Sequence, residues 1–187
     1  MRSAVRLGVT LSAFLVLVAC SDNSPPPPVV AAPTPEAAAP PPPPPAPAVS
    51  GDQQFLDQAA SGGTGEVELG KTARGKAHAK SVRAFAARMV TDHGRANTHL
   101  MALAKRLKMT PNVSPADTSQ MDSLKGADFD KAYIADQVKA HEDTVALFEG
   151  EAKDGQDAQL RKFASSSLPM LRSHLKQAQA IAAKIGS

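Results

Sequence analysis

The feature that most constrains this chain is a run of apolar residues at helical spacing that carries a histidine on its buried side. Counting from Phe85 at 100° per residue, Met89, His93, Ala96, Leu100, Leu103 and Leu107 fall within about 80° of one another. The stretch therefore predicts a long amphipathic helix over 79–108 in which His93 points where the leucines point. The same pattern recurs around His141 and His174. Histidines placed this way need partners, because a buried polar group left unpaired costs about 1–3 kcal/mol.

The rest of the folded part reads as three further helices. From Asp52 the composition shifts to Ala, Leu, Lys, Asp and Gln, and a helix over 52–76 puts Phe55, Ala59, Glu66, Gly70 and Ala73 on one face. The Gly62-Gly63-Thr64-Gly65 cluster inside it either admits a neighbouring helix closely or marks a break. A connection over 109–127 holds Pro111, Pro115 and a short helical turn near 119–125. Asp128 is the expected N-cap of a third helix, with Phe129, Tyr133, Ile134, Gln137, His141, Val145 and Phe148 inward. A fourth over 157–185 turns Leu160, Phe163, Leu168, Leu171, His174, Leu175, Ala178 and Ile181 inward; Pro169 removes one backbone donor and predicts a kink a turn before His174. A phenylalanine near the start of each helix suits aromatic layers toward the ends of a bundle.

Ahead of the helices lie two segments of other kinds. Arg2 and Arg6 precede an apolar run over 7–19, too short to span a bilayer and shaped like a secretory leader. It ends in Leu17-Val18-Ala19-Cys20, which resembles the lipobox of bacterial lipoproteins. That resemblance implies cleavage after residue 19 and acylation of Cys20, the only cysteine, which leaves no thiol for a disulfide. Ser21 is similar to an outer-membrane sorting signal in Gram-negative lipoproteins, so the expected address is the cell envelope, anchored in the outer membrane and facing the periplasm. Residues 25–47 hold thirteen of the sixteen prolines and predict a semi-rigid polyproline spacer. The expected organisation is a signal peptide over 1–19, a lipidated tether over 20–50 and a helical domain over 51–187.

Charge narrows the function. Of 21 Lys and Arg, Arg2 and Arg6 lie in the leader, which leaves 19 against 18 acidic residues. That balance argues against a nucleic-acid partner. Between Lys71 and Lys108 the only acid is Asp92. Such segregation suits either complementary outer faces of packed helices or a basic face toward an anionic envelope surface.

Two bundle topologies are open. In an up-down-up-down bundle Glu66, His93, His141 and His174 spread over more than two turns; if the 109–127 connection crosses the bundle they lie roughly 15, 21, 21 and 17 Å below a shared end. The crossover thus puts all four in one layer, and it is the arrangement of ferritin-like bundles. Five segments, Glu66-Val-Glu-Leu-Gly70, Phe85-Ala-Ala-Arg-Met89-Val-Thr-Asp-His93, Phe129-Asp-Lys-Ala-Tyr133, Val138-Lys-Ala-His141 and Leu168-Pro-Met-Leu-Arg-Ser-His174, resemble the bacterial family known as domain of unknown function 4142. The resemblance covers 53 to about 182. It implies an all-α, ferritin-like four-helix bundle in the envelope and no established activity.

Glu66, His93, His141 and His174 are the expected metal ligands, with Met89 and Met170, each four residues before a histidine, as secondary ones. Imidazole and carboxylate suit copper, iron or zinc, and the thioethers suit copper(I). A polar layer that fixes helix register is the alternative for the same residues. A ferritin-type di-iron oxidase needs Glu-x-x-His on two helices, and the chain has none. Glu68, Asp92, Glu142 and Asp143 read as solvated, and His78 and His99 as surface residues. No catalytic residue is assigned. Three readings follow: a lipid-anchored envelope protein that binds a transition metal for storage, buffering or stress protection; a tethered helical module that engages the cell wall or another envelope protein; and a redox enzyme.

Overall fold

A computed structural model describes residues 51–186. The leader, Cys20 and the proline-rich tether lie outside the described residues. Five helices follow in order, α1 (Gly51–Lys76), α2 (Lys80–Leu107), a single turn α3 (Ser119–Asp122), α4 (Gly126–Asp154) and α5 (Ala158–Ile185). α1 packs on α2 and α4 on α5, and these two hairpins meet through α1 against α4 and α2 against α5. α1 runs unbroken through Gly62–Gly65, so the glycines serve close approach. A Cβ on Gly63 would collide with the Asn97 side chain, and one on Gly70 would stand 3.0 Å from the Ala86 carbonyl oxygen of α2. Asp128 is not the cap of α4: the helix begins at Gly126, whose φ of 59° favours glycine, and Lys125 precedes it without a side-chain cap. Asp157 does cap α5, its carboxylate accepting from the Gln159 and Leu160 N–H groups. α5 continues through Pro169.

The crossover is real. Gln53 Nε2 donates to the Thr110 carbonyl (2.9 Å), the Asn112 N–H to Asp57 Oδ1 (2.8 Å) and the Ser114 N–H to Ser61 Oγ (2.9 Å). At the far end Lys76 Nζ donates to the carbonyls of Met121 (2.9 Å) and Asp122 (2.8 Å). The connection thus follows α1 from its start to its end in an extended strand, and about eleven residues at roughly 3.3 Å each match the rise of that helix. α4 in consequence runs parallel to α2.

The two hairpins repeat one another at a spacing of 78 residues, which the patterns of hydrophobicity do not advertise. Asp52 and Asp130, Phe55 and Tyr133, Leu56 and Ile134, Arg83 and Arg161, and Phe85 and Phe163 are all pairs of this kind. Their bonding repeats too. Asp130 accepts from the N–H groups of His78 (2.9 Å) and Ala79 (2.7 Å) at the start of α2, as Asp52 accepts from Gln156 (2.7 Å) and Asp157 (2.8 Å) at the start of α5. Arg83 Nη1 donates to the carbonyls of Ala77 and His78, and Arg161 Nη1 to those of Gly155 and Gln156. Each hairpin therefore secures the turn of the other.

The core is divided. One apolar cluster holds Phe55, Leu56, Leu100, Phe148, Leu160 and Leu171, and a second holds Val82, Phe85, Phe129, Tyr133, Ile134 and Ile181. Aromatic rings anchor both, Phe55 on Phe148 at 5.0 Å between centroids in the first and Phe85 on Tyr133 at 6.3 Å in the second. Along every long helix the histidine or glutamate singled out above falls between its contributions to the two clusters.

Candidate metal centre

The layer between the apolar clusters gathers His93 from α2, His141 from α4 and His174 from α5. They are 5%, 1% and 0% exposed. The ring centroids lie 5.4, 5.3 and 5.4 Å apart pairwise, nearly an equilateral triangle. One ring nitrogen from each residue lies within 4.8 Å of the other two, and no other group of three or more His, Cys, Asp or Glu side chains converges so closely among the described residues. His93 Nε2 and His141 Nε2 are 3.4 Å apart. Two nitrogens about 2.0–2.1 Å from one tetrahedral ion stand about 3.4 Å from each other, so this edge of the triangle already has the span of a coordination sphere.

The outer nitrogens orient two of the rings. His141 Nδ1 donates to the Gln137 carbonyl, one turn back on α4, at 2.9 Å, which leaves its Nε2 lone pair facing His93. His174 Nε2 donates to Asp92 Oδ2 at 2.9 Å, and its Nδ1 is buried with no hydrogen-bond partner. An acceptor behind each of these two rings, with the His174 Nδ1 left without a partner in front and the His141 Nε2 facing only His93 Nε2, is the arrangement that prepares imidazole for a metal. Burial, then the neighbouring His141 and His174 rings, push His93 down to about 3. Burial and the His174 ring push His141 down to about 4, and burial lowers His174 against the pull of Asp92. All three are neutral near pH 7, the form that ligates.

The other residues singled out from the sequence take different places. Glu66 is buried and reaches the layer, but its Oε1 lies 3.9 Å from His141 Nδ1, behind that ring. Burial pushes its carboxyl up to about 7, and Oε2 has no hydrogen-bond partner. Met89 sits in the second apolar cluster with Phe85, whereas Met170 packs against the first. The reason is direction: α2 and α5 are antiparallel, so residues four before a shared layer fall on opposite sides of it. Met170 with Glu66 and His93 lines a narrow, partly enclosed cavity of about 80 Å³ next to the triad. Glu68, Glu142 and Asp143 are exposed, as are His78 and His99. Asp92 is not simply solvated. Burial raises its carboxyl, but hydrogen bonds from His174 and from Arg88 (3.1 Å) outweigh that and hold it below the usual carboxylate range. The available signal was its isolation as the one acid between Lys71 and Lys108.

The family described as Domain of unknown function (DUF4142) matches residues 37–181. No curated protein matches the chain in sequence. Among solved structures, the fold is similar to a DUF305 protein from Streptomyces coelicolor (TM-score 0.65, 14% identity, covering 74% of this chain and 95% of that one). It is similar to CopM in the Cu(I)-bound form (TM-score 0.63, 14% identity, 71% and 96% covered), a protein also solved in Cu(II)-bound and Ag-bound forms. It is similar, too, to a DUF305 fragment from Deinococcus radiodurans (TM-score 0.63, 12% identity, 74% and 99% covered).

Proposed function

The chain belongs to the DUF4142 family, and we propose that it binds a transition-metal ion at His93, His141 and His174, copper before iron or zinc, to store or buffer it in the cell envelope. The observation that carries this reading is the unpartnered, buried Nδ1 of His174, facing two neutral imidazoles while its other nitrogen is held by Asp92. A polar layer that served only to fix register would pair that nitrogen with a neighbouring donor. Three imidazoles with no carboxylate in front of them suit copper or zinc better than an oxygen-activating iron pair. The likeness to CopM supports copper in particular, as does the Met170 thioether beside the triad.

The proposal includes a lipid anchor at Cys20 and a proline-rich tether that holds the bundle off an outer membrane on its periplasmic side, both on the strength of the leader sequence. A Cys20→Ser variant released into the soluble fraction, with loss of the acyl mass, checks that part.

Elemental analysis of the purified chain beside a His93→Ala, His141→Ala variant tests the site. Near-stoichiometric copper in the parent and none in a variant that keeps its helical circular dichroism is the expected result. A parent that is metal-free and takes up no copper, iron or zinc in titration overturns the reading and leaves a tethered module that works through a wall or envelope partner.

A further inference from the structure

We propose that the ion reaches the triad between α2 and α5 and that Met170 receives it on the way, an inference that rests on the metal-binding reading above. A surface cleft of about 330 Å³ between these helices is walled by Asp92, Arg95, Ala96, His99, Ser167 and Met170. A narrower, partly enclosed cavity of about 80 Å³ beside His93 shares Ala96, Phe163, Ser167 and Met170 with it. An outer cleft and a more buried inner space thus meet at the same four side chains. The two hairpins meet less extensively, through α1 against α4 and α2 against α5, than the helices do within each hairpin, so a small opening between α2 and α5 disturbs less of the core.

The inner space lies where the repeat is broken. His141 and His174 stand 78 residues after Gly63 and Ala96, both of which line the cavity; the Asn97 side chain takes the room beside Gly63, and Ala96 leaves the α2 wall open. Met170 is half-buried and lies one helical turn before His174 on α5. A thioether there is an uncharged soft donor that binds a monovalent copper or silver ion and lets it go again. Asp92 at the same cleft is already engaged by His174 and Arg88. Arg95 on the exposed wall repels a divalent ion twice as strongly as a monovalent one at equal distance. The path therefore selects soft monovalent ions before the triad meets them.

A residue on the path alters the rates of uptake and release alike and leaves the equilibrium affinity unchanged, whereas a resident ligand alters affinity. The test follows silver, added as Ag(I) nitrate in a chelator buffer, onto the purified full chain by metal content after rapid desalting at set times. Met170→Leu and Ala96→Ile are compared with the parent and with Met89→Leu, which lies in the other apolar cluster. The expected result is uptake and release both slowed tenfold or more in Met170→Leu and Ala96→Ile, with final occupancy kept and Met89→Leu unchanged. Parental rates in both path variants overturn the route while leaving the site intact, and a fall in affinity that accounts for the whole rate change makes Met170 a resident ligand instead. A parent that takes up no silver and no copper overturns the site itself.

Discussion

His174 donates its Nε2 proton to Asp92 Oδ2 across 2.9 Å, joining α5 to α2 at the height of the triad. The bond fixes which His174 nitrogen faces inward, and Arg88 holds the same carboxylate from one turn back. Asp92→Ala frees the ring to rotate or change tautomer. Loss of such an outer partner lowers metal affinity about 10–100-fold. Competition against a chelator of known affinity measures this, and the histidine nitrogen shifts in NMR report the tautomer. An unchanged affinity with a displaced tautomer would show that Asp92 does not position the ring for metal.

The metal-free protein loses stability on acidification, and the sign follows from where the protons go. An unfolded histidine takes its proton near 6.5, but the folded chain delays His93 to about 3 and His141 to about 4, and delays His174 as well. Between those values the unfolded state binds more protons, so stability present above 6.5 is lost as pH falls. Glu66 opposes this. Its folded carboxyl takes a proton at about 7 against 4.5 unfolded, so its contribution is complete below 4.5 and lost as pH rises through 7. Glu151, raised to about 6 by burial and Asp52, acts in the same sense. Asp136, also raised by burial, adds to them only toward the acid end, so the three histidines outweigh the carboxyls and the urea midpoint of chelator-treated protein drops from pH 6.5 to 4.5. Glu66→Gln steepens the drop by up to about 1.4 kcal/mol per pH unit. A midpoint that rises on acidification would contradict the burial of neutral imidazoles.

How far the site was legible in the sequence depends on what periodicity encodes. Period 3.6 says which side of a helix faces in, and on that ground His93, His141, His174 and Glu66 were all placed in the interior, where the structure has them. The length of the 109–127 connection allowed the crossover, and the shared layer it gave Glu66, His93, His141 and His174 favoured it. Periodicity does not say which way a neighbouring helix runs at a given height, so it does not show that Met89 and Met170, each four residues before a histidine, lie with opposite apolar clusters. Nor does it resolve the front of an imidazole from its back, which is what separates Glu66 from the triad. The repeat at 78 residues escaped because the residues that break it, His141 against Gly63 and His174 against Ala96, are the ones that draw attention.

The close approach of α1 and α2 makes two glycines eight residues apart, Gly62 and Gly70, behave oppositely. At Gly70 an added Cβ would meet Val90 Cγ2 at 2.9 Å and the Ala86 carbonyl oxygen at 3.0 Å, and a backbone atom inside α2 cannot step aside alone. Gly70→Ala therefore costs about 1–3 kcal/mol as overpacking. At Gly62 nothing lies within 4 Å, so Gly62→Ala gains about 0.5–1 kcal/mol from reduced chain entropy in the unfolded state. Urea titration of the two variants separates these cases; equal shifts of the same sign would mean that the helices do not touch at Gly70.

The repeated carboxylates give the last prediction. Asp52 and Asp130 each accept two backbone N–H groups at the start of a helix in the other hairpin, and both are buried, at 7% and 3% exposure. α2 has no cap of its own, since Ala79 offers no side-chain acceptor, so Asp130 is its substitute cap from 51 residues away. α5 also has Asp157, which accepts from two further N–H groups. Removing Asp130 leaves the His78 and Ala79 amides, just ahead of α2, without acceptors, and charged hydrogen bonds of this kind contribute about 1.5–3 kcal/mol. Asp52→Ala leaves the Gln156 and Asp157 amides similarly bare but keeps the Asp157 cap, so its cost falls toward the lower end. Asp130→Ala is therefore the more destabilising of the two in urea, and hydrogen exchange quickens first at Ala79 and the opening turn of α2. Equal loss at both sites, with exchange unchanged at Ala79, would show that the cross-hairpin carboxylate does not cap α2.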